Sequence, residues 1–176
     1  MSQITNTTSI VEPAVEIEIS EKSRSAVVGY LNGILADEFV LYTKTRNYHW
    51  NVVGANFYAL HQFFEAQSVE LNENVDEIAE RVRAIGGRPS SSLAEYLAGA
   101  RITEEPGRSV PAKEMVAKLL ADHESVIRLV RADLVRVTKL DDAGSAEFLA
   151  ALLESHEKMA WMLRATAPSQ TAAVKA

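Results

Sequence analysis

His61, Glu65, Asp76 and Glu80 combine the residue types and spacing of a metal site. Residues 56–85 read as one long helix, in which each residue advances about 1.5 Å and about 100°. His61/Glu65 and Asp76/Glu80 are therefore compact i,i+4 pairs. Measured from His61, Glu65 falls at about 40°, Asp76 at about 60° and Glu80 at about 100°, so all four share one face. His61 and Asp76 nevertheless stand roughly 22 Å apart along the axis, too far to bind one small ion within one subunit. The set is symmetric about a point between Glu70 and Leu71. An antiparallel second copy of this helix would bring His61 and Glu65 of one chain beside Asp76 and Glu80 of the other. That geometry gives two equivalent metal sites across a two-fold interface.

The elements that must position these residues are also legible. Leu60, Phe64, Leu71, Val75, Ile78, Val82 and Ile85 form an apolar stripe centred about 130° away from the His/carboxylate face, which aims the donors away from the subunit's own core. Gly86-Gly87-Arg88-Pro89 ends the helix, supplying φ > 0 and then a residue that cannot continue it. A first long helix is expected from about Ser23 to Trp50, with Leu31, Leu35 and Tyr42 on one side, followed by a turn around Gly54. A long crossover follows the second helix, and Ser92-Leu-Ala-Glu-Tyr-Leu-Ala suggests a short helix within it. Pro111 suits the start of a third long helix ending near Leu140, with Met115, Leu119, Val126, Val130, Leu134 and Val137 facing the core. After a turn at 141–144, Ser145 can cap a fourth helix reaching about Arg164. The expectation is an all-α, ferritin-like four-helix bundle over residues 21–166, with a mobile N-terminal tail at 1–20 and a short C-terminal tail at 167–176.

His49, near the end of the first helix, is returned by the turn toward His61. Neutral imidazole is a good ligand for iron or zinc, and carboxylates bind Fe²⁺ and stabilise Fe³⁺. A mixed His/carboxylate set without sulfur favours iron redox chemistry over a closed zinc site. Taken singly, each residue has a plainer reading, because charged helix faces are ordinary; the joint geometry is what carries weight. His123 and His156 have no comparable set along the chain and read as partly exposed helix residues, while Trp161 reads as bundle core or interface.

The 176 residues suit one domain with a sizeable core, and 47% hydrophobic content is ordinary. With no cysteine, disulfides, thiolate sites and cysteine nucleophiles are excluded, in keeping with a reducing compartment. No basic leader with an apolar core and no run of about 18 apolar residues is present, so a soluble, cytoplasmic protein without membrane contact is expected.

The run from Lys44 through His49-Trp50-Asn51 to His61, then Asp76-Glu-Ile-Ala-Glu80-Arg-Val-Arg-Ala-Ile-Gly-Gly, resembles the Dps family of mini-ferritins. Ser91-Ser-Leu-Ala-Glu-Tyr-Leu and His156-Glu-Lys-Met-Ala-Trp-Met-Leu match in kind and order, and the resemblance spans residues 23–166. It implies a hollow dodecamer of two-fold dimers with ferroxidase centres at dimer interfaces. Carried over by residue, His49, His61 and Glu65 come from one subunit and Asp76 and Glu80 from its neighbour, with the acidic pair as the stronger iron site. Fe²⁺ would be oxidised, with hydrogen peroxide as the preferred oxidant over dioxygen, and stored as ferric mineral. Zinc or another divalent ion can stand in for iron. Trp50 would intercept an oxidising equivalent; packing at an interface is its simpler role. An acidic iron-uptake pore would draw on Asp142 and Glu147, with Asp141 a further candidate, although acids at a helix start have an electrostatic reason of their own. Alanine or glycine also replaces acids found in some relatives.

Family members that bind DNA often do so with basic tails. This chain has Glu12, Glu16, Glu18 and Glu21 before Lys22 and Arg24, and only Lys175 at the other end, with a net charge of −6. Phosphate binding needs several cations acting together, so direct DNA binding is not expected. The alternative reading is a nucleoid-structuring protein whose primary role is DNA compaction. A third, a di-iron oxidase of organic substrates, would need a metal site facing inward within one bundle.

Overall fold

The computed structural model describes residues 15–107 and 109–166. Most of the expected N-terminal tail and all of the C-terminal one lie outside the described residues. The chain forms α1 (Glu21–Asn51), α2 (Phe57–Ala84), α3 (Leu93–Gly99), α4 (Ala112–Thr138) and α5 (Ala143–Thr166). α1 pairs with α2, α4 pairs with α5, and α1 also lies against α4 and the short α3. The four long helices and the crossover between α2 and α4 are the expected bundle.

Local chemistry sets the helix boundaries. The Ser20 hydroxyl accepts from Ser23 N and starts α1 two residues before the expected Ser23. Gly86, at φ 80°, closes α2: Gly86 N donates to Arg83 O at 2.9 Å and Gly87 N to Val82 O at 2.8 Å. Gly87 is required for packing as well, since a Cβ there would overlap the Val28 side chain of α1. Ser92 caps α3, and Glu95 reaches back to Ser91 N at 3.0 Å. At α5 the expected cap is corrected. Ser145 lies inside the helix, and Asp142 accepts from Ser145 N at 2.9 Å and from Ser145 Oγ at 2.6 Å. A carboxylate competes better than a hydroxyl for the free N–H groups of a helix start.

The apolar stripe of α2 is core: Leu60, Phe64, Leu71, Ile78, Val82 and Ile85 are buried. Met115, Leu119, Val126, Val130 and Val137 bury the matching face of α4, and Leu134 packs partly against it. Trp161 is 62% exposed, so the core alternative for that residue fails.

α1 departs from simple amphipathicity because it is covered by α2, α3 and α4 together, and it buries Asp37, Glu38, Lys44 and Thr45. Such groups need partners. Arg101, just beyond α3, meets Asp37 on α1 at 2.7 Å and Asp133 on α4 at 2.6 Å; both carboxylates are fully buried. Arg136 adds a second contact to Asp133 at 2.6 Å. The crossover is thereby tied to the two helices it spans. Arg101→Met, which keeps the aliphatic stem and removes the charge facing two buried carboxylates, should cost about 3–5 kcal/mol in urea unfolding. A loss below about 1 kcal/mol would show that the anchor is dispensable.

Candidate metal centre

His49, in the last turn of α1, and His61, in the first turns of α2, meet where the chain reverses. His49 Nδ1 lies 2.9 Å from His61 O, and His61 Nδ1 lies 2.9 Å from His49 O. A carbonyl only accepts, so each Nδ1 carries its proton and donates. The reciprocal bonds leave both Nε2 atoms as lone-pair donors. The rings stack at 3.9 Å between centroids, and Phe57 stacks on His61 at 5.2 Å. Glu65 lies one turn beyond His61. One donor atom from each of His49, His61 and Glu65 falls within 4.8 Å of the others. That is a three-donor set open on one side.

Its support reaches into the bundle. Tyr48, next to His49, is buried and donates to Glu105 of the crossover at 3.1 Å. Burial, then the Glu105 charge, push the Tyr48 phenol well above its ordinary range, so it is neutral at physiological pH. Lys118 pairs with the same Glu105, and Lys44 binds Asp122 at 2.7 Å. A polar network beginning one residue before His49 therefore joins α1, α4 and the crossover.

Asp76 and Glu80 are exposed on α2 and do not join the three-donor set. Trp50 is 66% exposed beside His49, with the Arg46 guanidinium 5.0 Å from its ring centroid. Val53, Phe57, Tyr58 and Val69 are exposed as well. Of the pore candidates, Glu147 and Asp141 are exposed. Asp142 is 2% exposed, binding Arg81 at 2.9 Å while capping α5.

Reading the sequence missed one cluster. His123 and His156 are fully buried rather than partly exposed, and Glu38 is buried with them. His156 Nε2 is 2.6 Å from Glu38 Oε1, and the two Nδ1 atoms are 3.0 Å apart. Burial, then the neighbouring His156, push His123 well below the usual histidine range. No spacing along the chain announces this group, because its members come from α1, α4 and α5.

The ferritin-like domain family matches residues 28–168. DNA protection during starvation protein 2 of Bacillus anthracis is 37% identical over 139 residues, 79% of this chain and 94% of that protein. The chain belongs to the Dps family of mini-ferritins. A low temperature-induced protein of Nostoc is 44% identical over 153 residues, 86% of each chain. Among solved structures, the Dps protein of Vibrio cholerae superposes with a TM-score of 0.82 at 29% identity, covering 90% of this chain and 99% of that one. That protein is described as one of the ferritin-like diiron-carboxylate proteins. Membership gives the chain a general place in iron storage or DNA protection. No helix among the described residues is long and apolar enough to cross a membrane.

Asp142→Ala should lower stability by about 1–3 kcal/mol in urea unfolding, combining a lost cap with an Arg81 left to Ser145 Oγ alone. Asp142→Asn should recover part of the loss, because an amide oxygen still caps. Equal losses in both variants would assign the effect to the ion pair alone.

Proposed function

We propose that the chain is an iron-storing ferroxidase whose oxidation centres are completed between two copies of the subunit, within a hollow dodecamer of two-fold dimers in the cytoplasm. The observation that supports this reading best is the open set of His49, His61 and Glu65. Its rings are pre-set to present Nε2, and it has no further ligand from its own chain among the described residues. Asp76 and Glu80 lie further along the same helix and project to solvent. An antiparallel partner helix would bring its acidic pair to this set and receive the other pair in return. The exposed Trp50, Phe57, Tyr58 and Val69 supply apolar surface on the same region for burial in that contact.

Fe²⁺ is the substrate. The imidazoles would position it, and the carboxylates would offset the charge gained on passing to Fe³⁺. Two Fe²⁺ held together can each give one electron to one hydrogen peroxide. Its O–O bond then breaks to oxygens at the oxidation level of water, and no hydroxyl radical is released. A lone Fe²⁺ delivers one electron and leaves that radical. Trp50, beside His49, would absorb a stray oxidising equivalent. Removal of iron and peroxide protects DNA without contact, in keeping with a net charge of −6. Tight, salt-sensitive DNA retention in a gel-shift series would instead favour compaction as the primary role.

Anaerobic Fe²⁺ followed by peroxide should give rapid oxidation and soluble ferric cores. Asp76→Ala/Glu80→Ala should slow the initial rate by about 10²-fold or more. A co-assembly experiment tests the shared site directly. Subunits carrying His49→Ala/His61→Ala are mixed with subunits carrying Asp76→Ala/Glu80→Ala. Each mixed dimer then regains one intact site, and activity should return in two inactive parents. Absence of recovery in verified mixed assemblies would place the centre within single subunits.

A further inference from the structure

Glu38 on α1, His156 on α5 and His123 on α4 form a chain of groups with no exposed surface. Glu38 Oε1 lies 2.6 Å from His156 Nε2, an ion-pair contact in which no hydrogen is aligned. The Nδ1 atoms of His156 and His123 are 3.0 Å apart. Two hydrogens do not fit in that gap, so one imidazole donates and the other accepts. Beyond these contacts the chain ends, because Glu38 Oε2 and His123 Nε2 are buried without a partner.

The charges around it are already engaged. α1 carries Asp37, held by Arg101 of the crossover, and Lys44, held by Asp122 of α4. On α4, Asp133 also meets Arg101, and Glu124, next to His123, meets Arg164. On α5, Glu157, next to His156, meets Arg131. α2 brings Glu70, which accepts from Ser155 Oγ at 2.7 Å, and the neutral Gln67, which donates to Met159 O at 3.4 Å. These groups leave no cation for Glu38, and a buried carboxylate needs an offset. A proton on His156 is the offset that the chain itself supplies, with His123 as the neutral acceptor at the far end.

A second proton has no comparable place. On His123 Nδ1 it would set two N–H groups against each other across 3.0 Å, with two positive rings facing one carboxylate. Burial, then the neighbouring His156, already hold His123 well below the usual histidine range. In the unfolded chain the same ring takes its proton near about pH 6.5. The stability that follows from this difference is complete above about pH 6.5 and is lost as the pH falls below it, where the unfolded state binds a proton that the folded state refuses.

We propose that Glu38, His156 and His123 form an acid-sensitive latch, which holds α1 against the α4–α5 pair while the chain carries one proton and releases that junction when a second enters. The latch lies within one subunit and shares no residue with the His49, His61 and Glu65 set. Mild acid then loosens each subunit from inside, whatever the donors at the turn between α1 and α2 bind.

The test is urea unfolding of the full-length assembled protein at one protein concentration, from about pH 7.5 down to about pH 5. It is run beside His123→Gln, which keeps an acceptor for His156 and takes up no proton in this range. Below about pH 6.5 the folding equilibrium of the unaltered protein should fall more steeply than that of the variant, the difference approaching about tenfold per pH unit. Parallel curves would overturn the latch. If His123→Gln does not assemble, hydrogen exchange of the unaltered protein decides the question. Corrected for the intrinsic pH dependence of exchange, protection of the amides flanking His123 and His156 should drop about tenfold between about pH 6.5 and about pH 5.5. Protection that stays constant over that unit would sink the proposal equally.

Discussion

The crossed hydrogen bonds between His49 and His61 are the interaction on which the candidate centre depends. Each ring donates from Nδ1 to the other residue's backbone carbonyl, both at 2.9 Å. One pair of contacts thus closes the turn between α1 and α2, fixes two tautomers and aims two lone pairs the same way. The carbonyls involved include that of His49, in a helix's last turn, where orphan acceptors are normally left to water. A requirement of helix termination is met by the same atoms that prepare a ligand set. Stacking of the two rings at 3.9 Å, with Phe57 beyond, removes the rotational freedom that would otherwise oppose ion capture.

Charge buried inside the bundle follows a different logic. α1 is enclosed by neighbours on several sides, so its polar residues cannot all turn to water. Asp37 uses Arg101, and Lys44 uses Asp122. These pairs join elements distant in sequence, and Arg101 ties the long crossover to α1 and α4. Tyr48 extends that connection to within one residue of His49.

How much of this was legible in the sequence depends on the range of the interaction. The α2 face was readable because helical periodicity alone relates His61, Glu65, Asp76 and Glu80, and the apolar stripe orients them. The Gly86-Gly87 stop was readable for the same local reason. Asp142 was visible as an acid at a helix start, but its pairing with Arg81 depends on α2 meeting α5, which no local pattern encodes. Glu38, His123 and His156 were harder still. A histidine deep in a bundle and one half exposed occupy similar helical positions. Only the packing of three helices shows that these two are enclosed with a carboxylate. The mixed surface character of α1 added to the difficulty, because its buried charges blur the stripe that marks a core face.

The two histidine sets differ in a way that bears on what each can do. His49 and His61 are held by backbone carbonyls at the turn between α1 and α2, with His49 buried and His61 and Glu65 partly exposed. His156 is held by another side chain and looks inward at a carboxylate with no exposed surface. In the proposed reading the His49, His61 and Glu65 set takes its acids from a second chain, which would tie oxidation to assembly. The inward set has its carboxylate from α1 already. One helical bundle thus separates a donor set at the turn between α1 and α2 from a histidine–carboxylate cluster sealed among α1, α4 and α5.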